Sequence, residues 1–313
     1  MKSISIVIPA YNEADCLPEL FTRLKSLMDS HSGYEWQVLI VENGSTDTSW
    51  EILQELNNAD SRFKALRLSR NFRMDGGLTA GLDYIDSDAC VLMTADLQDP
   101  PELIPEFIKK WEEGYENIYG VVEERKGTNL IRRFNSIMFY KVAGKLSDGS
   151  IPENASDFRL VDKKVYKQVR LMTERNRFVR GLFAWVGFKS IGVPMIREPR
   201  YAGVSNAHTF KVIELALKGI FAHSYKPLRF IYIFGFLISG IAIFALIPMA
   251  YFWFKFGVPF AGFGSLAALI MAGFGFQALM LGIVSEYLGL IYEESKSRPN
   301  FIVSEELGIK NSL

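Results

Sequence analysis

Ile4-Ser5-Ile6-Val7-Ile8, followed by Pro9-Ala10-Tyr11-Asn12-Glu13, decides how this chain is read. The β-branched run has the length of one buried strand, and the segment from Pro9 breaks it. Leu17, Leu20, Phe21, Leu24 and Leu27 then fall at helical spacing. Trp36 to Val41 reads as a second strand, ended by Glu42-Asn43-Gly44-Ser45. The alternation continues with a helix over Thr48–Leu56, a strand over Phe63–Leu68, a helix over Leu78–Ile85 and a strand over Ala89–Met93. Thr94-Ala95-Asp96-Leu97-Gln98-Asp99-Pro100-Pro101 follows. A helix over Pro101–Trp111 starts with proline, where the missing N–H costs nothing, and a fifth strand covers Asn117–Val122. Strands alternating with helices argue for an α/β domain with a mostly parallel sheet. Ligands of such sheets sit beyond the carboxyl ends of the strands. The polar breaks after strands one, two and four fall there, which groups Tyr11, Glu13, Glu42, Asn43, Asp96 and Gln98 as one candidate site.

The 313 residues carry a formal net charge of +0, so nothing points to nucleic acid. Cys16 and Cys90 lack metal or redox spacing and read as reduced thiols, and the three histidines make no zinc pattern. The apolar run at the N-terminus is too short for a signal peptide.

The last third differs in kind. Phe230–Phe254 and Phe256–Ser285 are free of charged residues, and each exceeds the ~20 residues a helix needs to cross a bilayer. Gly257-Val258-Pro259 supplies the turn. Lys226, Arg229, Lys296 and Arg298 flank the pair while the connecting loop holds only Lys255, which puts both termini on the cytoplasmic side. Thr209–Tyr225 has Phe210, Ile213, Leu217, Ile220 and Phe221 on one helical face; it suits a helix lying in the membrane interface or one packed on the soluble domain. The expected organisation is a catalytic domain over 1–208, an amphipathic helix over 209–225, two spans within 226–286 (about 230–254 and 262–285), and a cytoplasmic tail over 287–313.

Asp96 and Gln98, two apart just past a strand, can both offer oxygens to a divalent metal if the segment stays extended. The array of strand-PAYNE, strand-ENGSTD and strand-TADLQDPPE within the first hundred residues resembles the GT-A, family 2 glycosyltransferases. The resemblance continues through Leu68–Phe72, Ala155–Leu160, Arg175–Gly187, Pro199–Gly203, Ser285–Gly289 and Lys296–Pro299. It is similar in particular to the polyprenyl-phosphate branch, the dolichol-phosphate mannosyltransferases and bacterial bactoprenol glucosyltransferases. The resemblance implies a Rossmann-like GT-A catalytic domain plus a two-helix transmembrane hairpin. It implies Pro9, Tyr11 and Glu13 on the nucleotide, Asp96 and Gln98 on Mg²⁺ or Mn²⁺ and the diphosphate, and Asp157 as general base or orienting group. It also implies Arg125 with Arg132 or Arg133 on the acceptor phosphate. Arginine suits that task, because an anionic acceptor approaching an anionic diphosphate needs offsetting charge in bidentate geometry. Arg159, a neighbour for Asp157, and Arg200 join the binding set.

Two positions depart from the family pattern. Glu42-Asn43 stands where Asp-Asp is usual, and Thr94 where the first Asp of Asp-Ala-Asp is usual. Both lose carboxylates, which implies either a shifted donor specificity or a weakened enzyme; Glu42 can still reach base or ribose. The implied function is transfer of a hexose, from UDP-glucose or UDP-N-acetylglucosamine, to undecaprenyl phosphate with inversion. The implied setting is the bacterial inner membrane, the catalytic domain cytoplasmic and the product used for lipopolysaccharide or another surface glycan. A nucleotide-sugar-binding scaffold without turnover and a processive synthase are the rivals. Small residues and Gln277 in the second span point to a homo-oligomer, a tetramer by resemblance.

Overall fold

The computed structural model describes residues 1–125, 154–198, 201, 263–309 and single positions between 228 and 257; of Glu124 and Arg125 it describes the backbone. Two compact units are present, Met1–Ala216 with Ser297–Leu313, and Leu217–Lys296. Arg132, Arg133, Arg200 and the stretch 209–225 lie outside the described residues.

The first unit is an eight-stranded sheet between two layers of helices. Its strands are β1 (Lys2–Ala10), β2 (Tyr34–Glu42), β3 (Phe63–Leu68), β4 (Ala89–Leu92), β5 (Asn117–Arg125), β6 (Ala155–Asp162), β7 (Ser190–Arg197) and β8 (Val303–Leu307). The helices are α1 (Leu17–Ser30), α2 (Ser49–Ala59), α3 (Arg73–Asp83), α4 (Ile104–Glu112), α5 (Lys163–Leu171) and α6 (Val179–Trp185). The spatial order is β7-β5-β6-β4-β1-β2-β3-β8. Only β6 and β8 run against the others in this sheet, β6 between β4 and β5, and β8 beside β3. The sheet is therefore mostly parallel.

The uniform apolarity of β1 follows from burial on both faces, as parallel strands require. Ile4, Ile6 and Ile8 pack with Leu17, Leu20, Leu24 and Phe107. Val7, with Leu39 and Val41 of β2, packs with Leu78, Leu82, Tyr166 and Phe183 on the opposite side. Strand β1 continues through Pro9, because its ladder with β4 stops at Val7↔Leu92 while that with β2 runs on to Ala10↔Glu42. Helix α3 begins at Arg73, five residues before the periodicity suggests. Asn71 Oδ1 accepts from Arg73 N at 2.7 Å there, and glycines replace the apolar stripe in the first turns. A Cβ at Gly81 would lie 2.2 Å from Val7 Cγ1, so the close approach of α3 to the sheet requires glycine.

Within the segment expected as a tail over 287–313, residues 303–307 form a strand. Strand β8 pairs antiparallel with β3, Ser69 N donates to Ile302 O at 2.9 Å, and Tyr84 Oη donates to Glu306 at 2.9 Å. In the second unit, α7 (Phe263–Ser295) runs ten residues beyond the expected span, as nothing in its sequence breaks the helix before Ser297 (φ 50°). Among the described residues one helix, Gly273–Ser295, is long and apolar enough to cross a membrane. The described positions of the other expected span, such as Phe234, Phe244 and Tyr251, are helical, and its remainder lies outside them.

Candidate functional site

The strand order β3-β2-β1-β4 puts a topological switch between β1 and β4, where the connections leave in opposite directions and open a crevice. Six strands deliver loops or ends to this edge by their carboxyl ends: β1, β2, β3, β4, β5 and β7. Antiparallel β6 delivers its start. With Leu92↔Arg159 in register, Asp157 continues past the end of β4 beside Thr94.

The loops after β1 and β2 are knitted together. Asn12, at φ 53°, accepts from Thr46 N at 2.8 Å and donates its own N–H to Ser45 Oγ at 3.0 Å. Glu13 N donates to Ser49 Oγ at 3.2 Å and Ala14 N to Asp47 at 3.2 Å. Tyr11 stays 39% exposed at the crevice. Pro9 lies beneath, close against Gly77 of α3. Gly44, at φ 68°, could carry no Cβ, since one would sit 2.7 Å from the Arg70 backbone.

Glu42 and Asn43 are internal. Glu42 is fully buried; one oxygen accepts from Ser45 N and the other lies 3.2 Å from Arg67 Nε. Arg67 in turn donates to Glu305 of β8 at 2.9 Å and lies over the Trp50 ring at 5.4 Å. This corrects the expectation that Glu42 faces base or ribose: its carboxylate is committed to the loop and to Arg67. Asn43 Nδ2 donates to Arg73 O at 2.7 Å while Oδ1 accepts from Phe72 N at 2.8 Å. An ionised Asp can only accept, so this clamp needs the amide, which explains the departure at 43.

The loop after β4 gathers carboxylates. Thr94 Oγ1 lies 2.7 Å from Asp96 Oδ1 and 2.8 Å from Asp99 Oδ2. One hydroxyl hydrogen serves one of them at a time; burial pushes the Asp99 carboxyl upward, while Arg197 and the Thr94 contacts oppose the rise. Thr94 thus bridges two acids where a third would repel both. Asp96 Oδ1 also accepts from Gln98 N at 3.3 Å, Leu97 between them takes φ 57°, and Gln98 Nε2 donates to Glu198 O at 3.3 Å. Among the described residues no group of three or more His, Cys, Asp or Glu could hold a metal. The donor set of Asp96 and Gln98 is instead one carboxylate and one amide oxygen, hard ligands that leave most of an octahedral shell to a diphosphate and water. The ligand types suit Mg²⁺ or Mn²⁺, but Leu97 at φ 57° means the segment is not extended as expected, so strand alternation does not aim the two side chains at one ion.

Ser156 Oγ, 3.5 Å from Asp99 Oδ1, links this loop to β6. Asp157 interacts with Arg159 through charge, as expected from sequence, but its hydrogen-bonded partner is Arg180 of α6. Arg180 gives Nε to Oδ1 at 2.8 Å and Nη2 to Oδ2 at 2.5 Å. Burial raises the Asp157 pKa, but the Arg180 guanidinium outweighs it and holds the carboxyl below its ordinary value. Arg159 is buried, with Nη2 on Ser156 O at 3.0 Å, and burial draws it down to about 10, still charged near neutrality. The backbone of Arg125 ends β5 opposite Arg197 of β7.

Tyr11, Glu13, Asp96, Gln98 and Asp157 thus follow or begin strands at one edge of the sheet, while Glu42, Asn43 and Arg159 are buried. Sequence reasoning missed Asp99, Arg67, Arg180 and Arg197. Arg180 lies inside the resemblance segment Arg175–Gly187, but nothing local marks it as the partner of a residue on β6.

The glycosyl transferase family 2 profile matches residues 5–170, and the chain belongs to that family. It is 40% identical to the uncharacterized glycosyltransferase YkcC of Bacillus subtilis (strain 168), over 98% of this chain and 95% of that protein. It is 34% identical to the bactoprenol glucosyl transferase of Shigella phage SfV, over 97% of this chain and 98% of that protein. It is also similar to a crystal structure of glucosyl-3-phosphoglycerate synthase from Mycobacterium tuberculosis in complex with Mn²⁺, UDP and glucosyl-3-phosphoglycerate. That similarity has 15% identity and a TM-score of 0.46, over 70% of this chain and 78% of that one.

Proposed function

We propose that this chain transfers a hexose from a nucleotide-sugar to a polyprenyl phosphate, with inversion. The observation that carries the reading is the meeting of the β4 loop and Asp157 at one sheet edge, joined through Ser156 and Asp99. The near-full-length similarity to a bactoprenol glucosyl transferase supports the acceptor. UDP-glucose and UDP-N-acetylglucosamine are the donors to test first.

The knitted loops after β1 and β2 hold the nucleotide, with Tyr11 at the crevice surface. Asp96 and Gln98 would hold Mg²⁺ or Mn²⁺, which supplies charge against the departing diphosphate. The acceptor phosphate oxygen forms a bond to the anomeric carbon from the opposite face, and the bond to the diphosphate oxygen breaks. That nucleophile is already anionic near neutrality, so no proton need be removed. Asp157, fixed and kept ionised by Arg180, orients rather than deprotonates.

The sheet also constrains the membrane path. β7 and β8 belong to one hydrogen-bonded sheet, so the chain between them crosses a bilayer an even number of times. If α7 crosses, a second crossing precedes it, which favours a hairpin; the Lys and Arg flanks favour the cytoplasmic side for the catalytic unit. The test is incubation of purified full-length protein with labelled UDP-sugars, Mg²⁺ or Mn²⁺ and undecaprenyl phosphate. A lipid-linked monosaccharide is the expected product; polymer, or no product with any donor, overturns the reading.

A further inference from the structure

Three arginines stand at the sheet edge where β6 begins, and the structure commits two of them. Arg180 spends its fork on Asp157, and Arg159 is buried on the carbonyls of Ser156 and Asp157 with its guanidinium 5.0 Å over the Phe183 ring. Arg197, the last residue of β7, differs. Its Nε lies 3.8 Å from Asp99 Oδ1, beyond hydrogen-bond distance, and is buried with no hydrogen-bond partner among the described residues. Asp99 is meanwhile occupied by the Thr94 hydroxyl and N–H and by Ser156. Arg197 therefore balances the buried charge without spending its donors. Its side chain is 28% exposed at the end of β7.

The position is specific. Arg197 Nε lies 3.8 Å from Asp99 of the β4 loop, and Asp99 in turn meets Ser156 at the start of β6. The backbone neighbour of Arg197 across the β5–β7 ladder is Arg125, so two cationic residues end adjacent parallel strands. A planar guanidinium matches the paired oxygens of a phosphoryl group better than an ammonium does.

We infer that Arg197 is a phosphoryl-binding residue, taking an anionic phosphoryl oxygen of a substrate at the β5–β7 end of the site. The assignment rests on the proposed transfer reaction, which offers two such groups, the donor diphosphate and the acceptor phosphate.

The test uses full-length protein with Arg197→Gln and Arg197→Lys, reading three quantities: the UDP dissociation constant with Mn²⁺, the KM for undecaprenyl phosphate, and the thermal midpoint. Arg197→Gln should worsen one of the two constants by ~10-fold and Arg197→Lys by ~3-fold, the sizes expected when a charge-assisted contact is lost or loses its fork. A weaker UDP constant assigns the donor diphosphate; a raised acceptor KM alone assigns the acceptor phosphate. Because Asp99 loses its counter-charge in Arg197→Gln, the same substitution is also made in Asp99→Asn and compared with Asp99→Asn alone. If both constants stay within twofold in folded variants, Arg197 is only a counter-ion and the inference is wrong. If the wild-type protein neither binds UDP nor transfers sugar, the functional reading falls first.

Discussion

Arg180 clamps Asp157 through two parallel contacts, Nε to Oδ1 at 2.8 Å and Nη2 to Oδ2 at 2.5 Å, across 23 residues of sequence. The clamp fixes the carboxylate plane at the start of β6. It also sets its protonation: the folded pKa lies below the ordinary value, so the pair stabilises the fold above the ordinary Asp range and is lost as pH falls through the folded pKa. Asp157 should therefore put no titration into kcat near neutrality. Arg180→Met should lower kcat by ~10–100-fold, the equivalent of ~1.5–3 kcal/mol for a lost charged contact, and Arg180→Lys should recover part of it. The kcat–pH profile of each variant checks this. Wild-type kcat in Arg180→Met would show that Asp157 needs no orienting partner.

Arg67 is the counter-ion of a carboxylate with no exposure to water, Glu42. Arg67→Met should cost about 3–5 kcal/mol by leaving that charge buried and unpaired. Glu42→Gln in the same chain should return much of the loss. Glu305→Gln, at a half-exposed partner, should change stability by less than ~1 kcal/mol. Chemical unfolding of the three variants decides it, and a double variant no more stable than Arg67→Met would refute the pairing.

Asp75 accepts from Val179 N at 2.9 Å at the start of α6. Burial pushes its carboxyl up to about 6, Asp157 adds to the rise, and the Val179 N–H, Arg180 and Arg177 oppose it. A raised folded pKa means that this group favours the fold fully below the ordinary Asp range and loses that contribution as pH rises through about 6. Asp75→Asn, which can still accept from Val179, should gain stability relative to wild type between pH 4 and pH 7. Thermal midpoints across that range test it; a pH-independent difference would contradict the shift.

The proposed divalent metal on Asp96 and Gln98 can be tested by its removal. Chelation should abolish transfer, and Asp96→Ala should lower it by at least ~100-fold, ~2.7 kcal/mol of activation free energy. Calorimetric titration of Mn²⁺ in the presence of UDP supplies a second readout. Full activity of Asp96→Ala in excess chelator would falsify the assignment.

The pairing of β8 with β3 fixes a topological expectation. A reporter after Leu313 should lie on the same side of the membrane as the N-terminus, and one at Gly257 on the other side. Accessibility of labels in intact cells measures this, and opposite sides for the two termini would mean a single crossing.

Much of this arrangement was legible from local pattern. A strand's apolar run, its breaker and the following helical spacing occupy contiguous residues, so Ile4–Ile8, Trp36–Val41 and Ala89–Met93 announced themselves, and with them the loops carrying Tyr11, Asp96 and Gln98. The parallel order then follows from short right-handed connections. Other features depend on which strands become neighbours, which no local window contains. Ala155–Asp162 had to insert antiparallel between β4 and β5 before Asp157 could stand past the end of β4. Arg180 became its partner only when α6 packed beside α3 and α5. Asn43 looked like a lost carboxylate until Phe72 and Arg73 came within reach of both ends of its amide. Residues 303–307 looked like a tail because three of the five are polar and exposed, yet β3 offered an unpaired edge whose N–H and C=O groups needed partners. Sequence sets periodicity and breakers, which are properties of neighbours along the chain. Pairing, counter-charge and register belong to neighbours in space, and folding had to choose them.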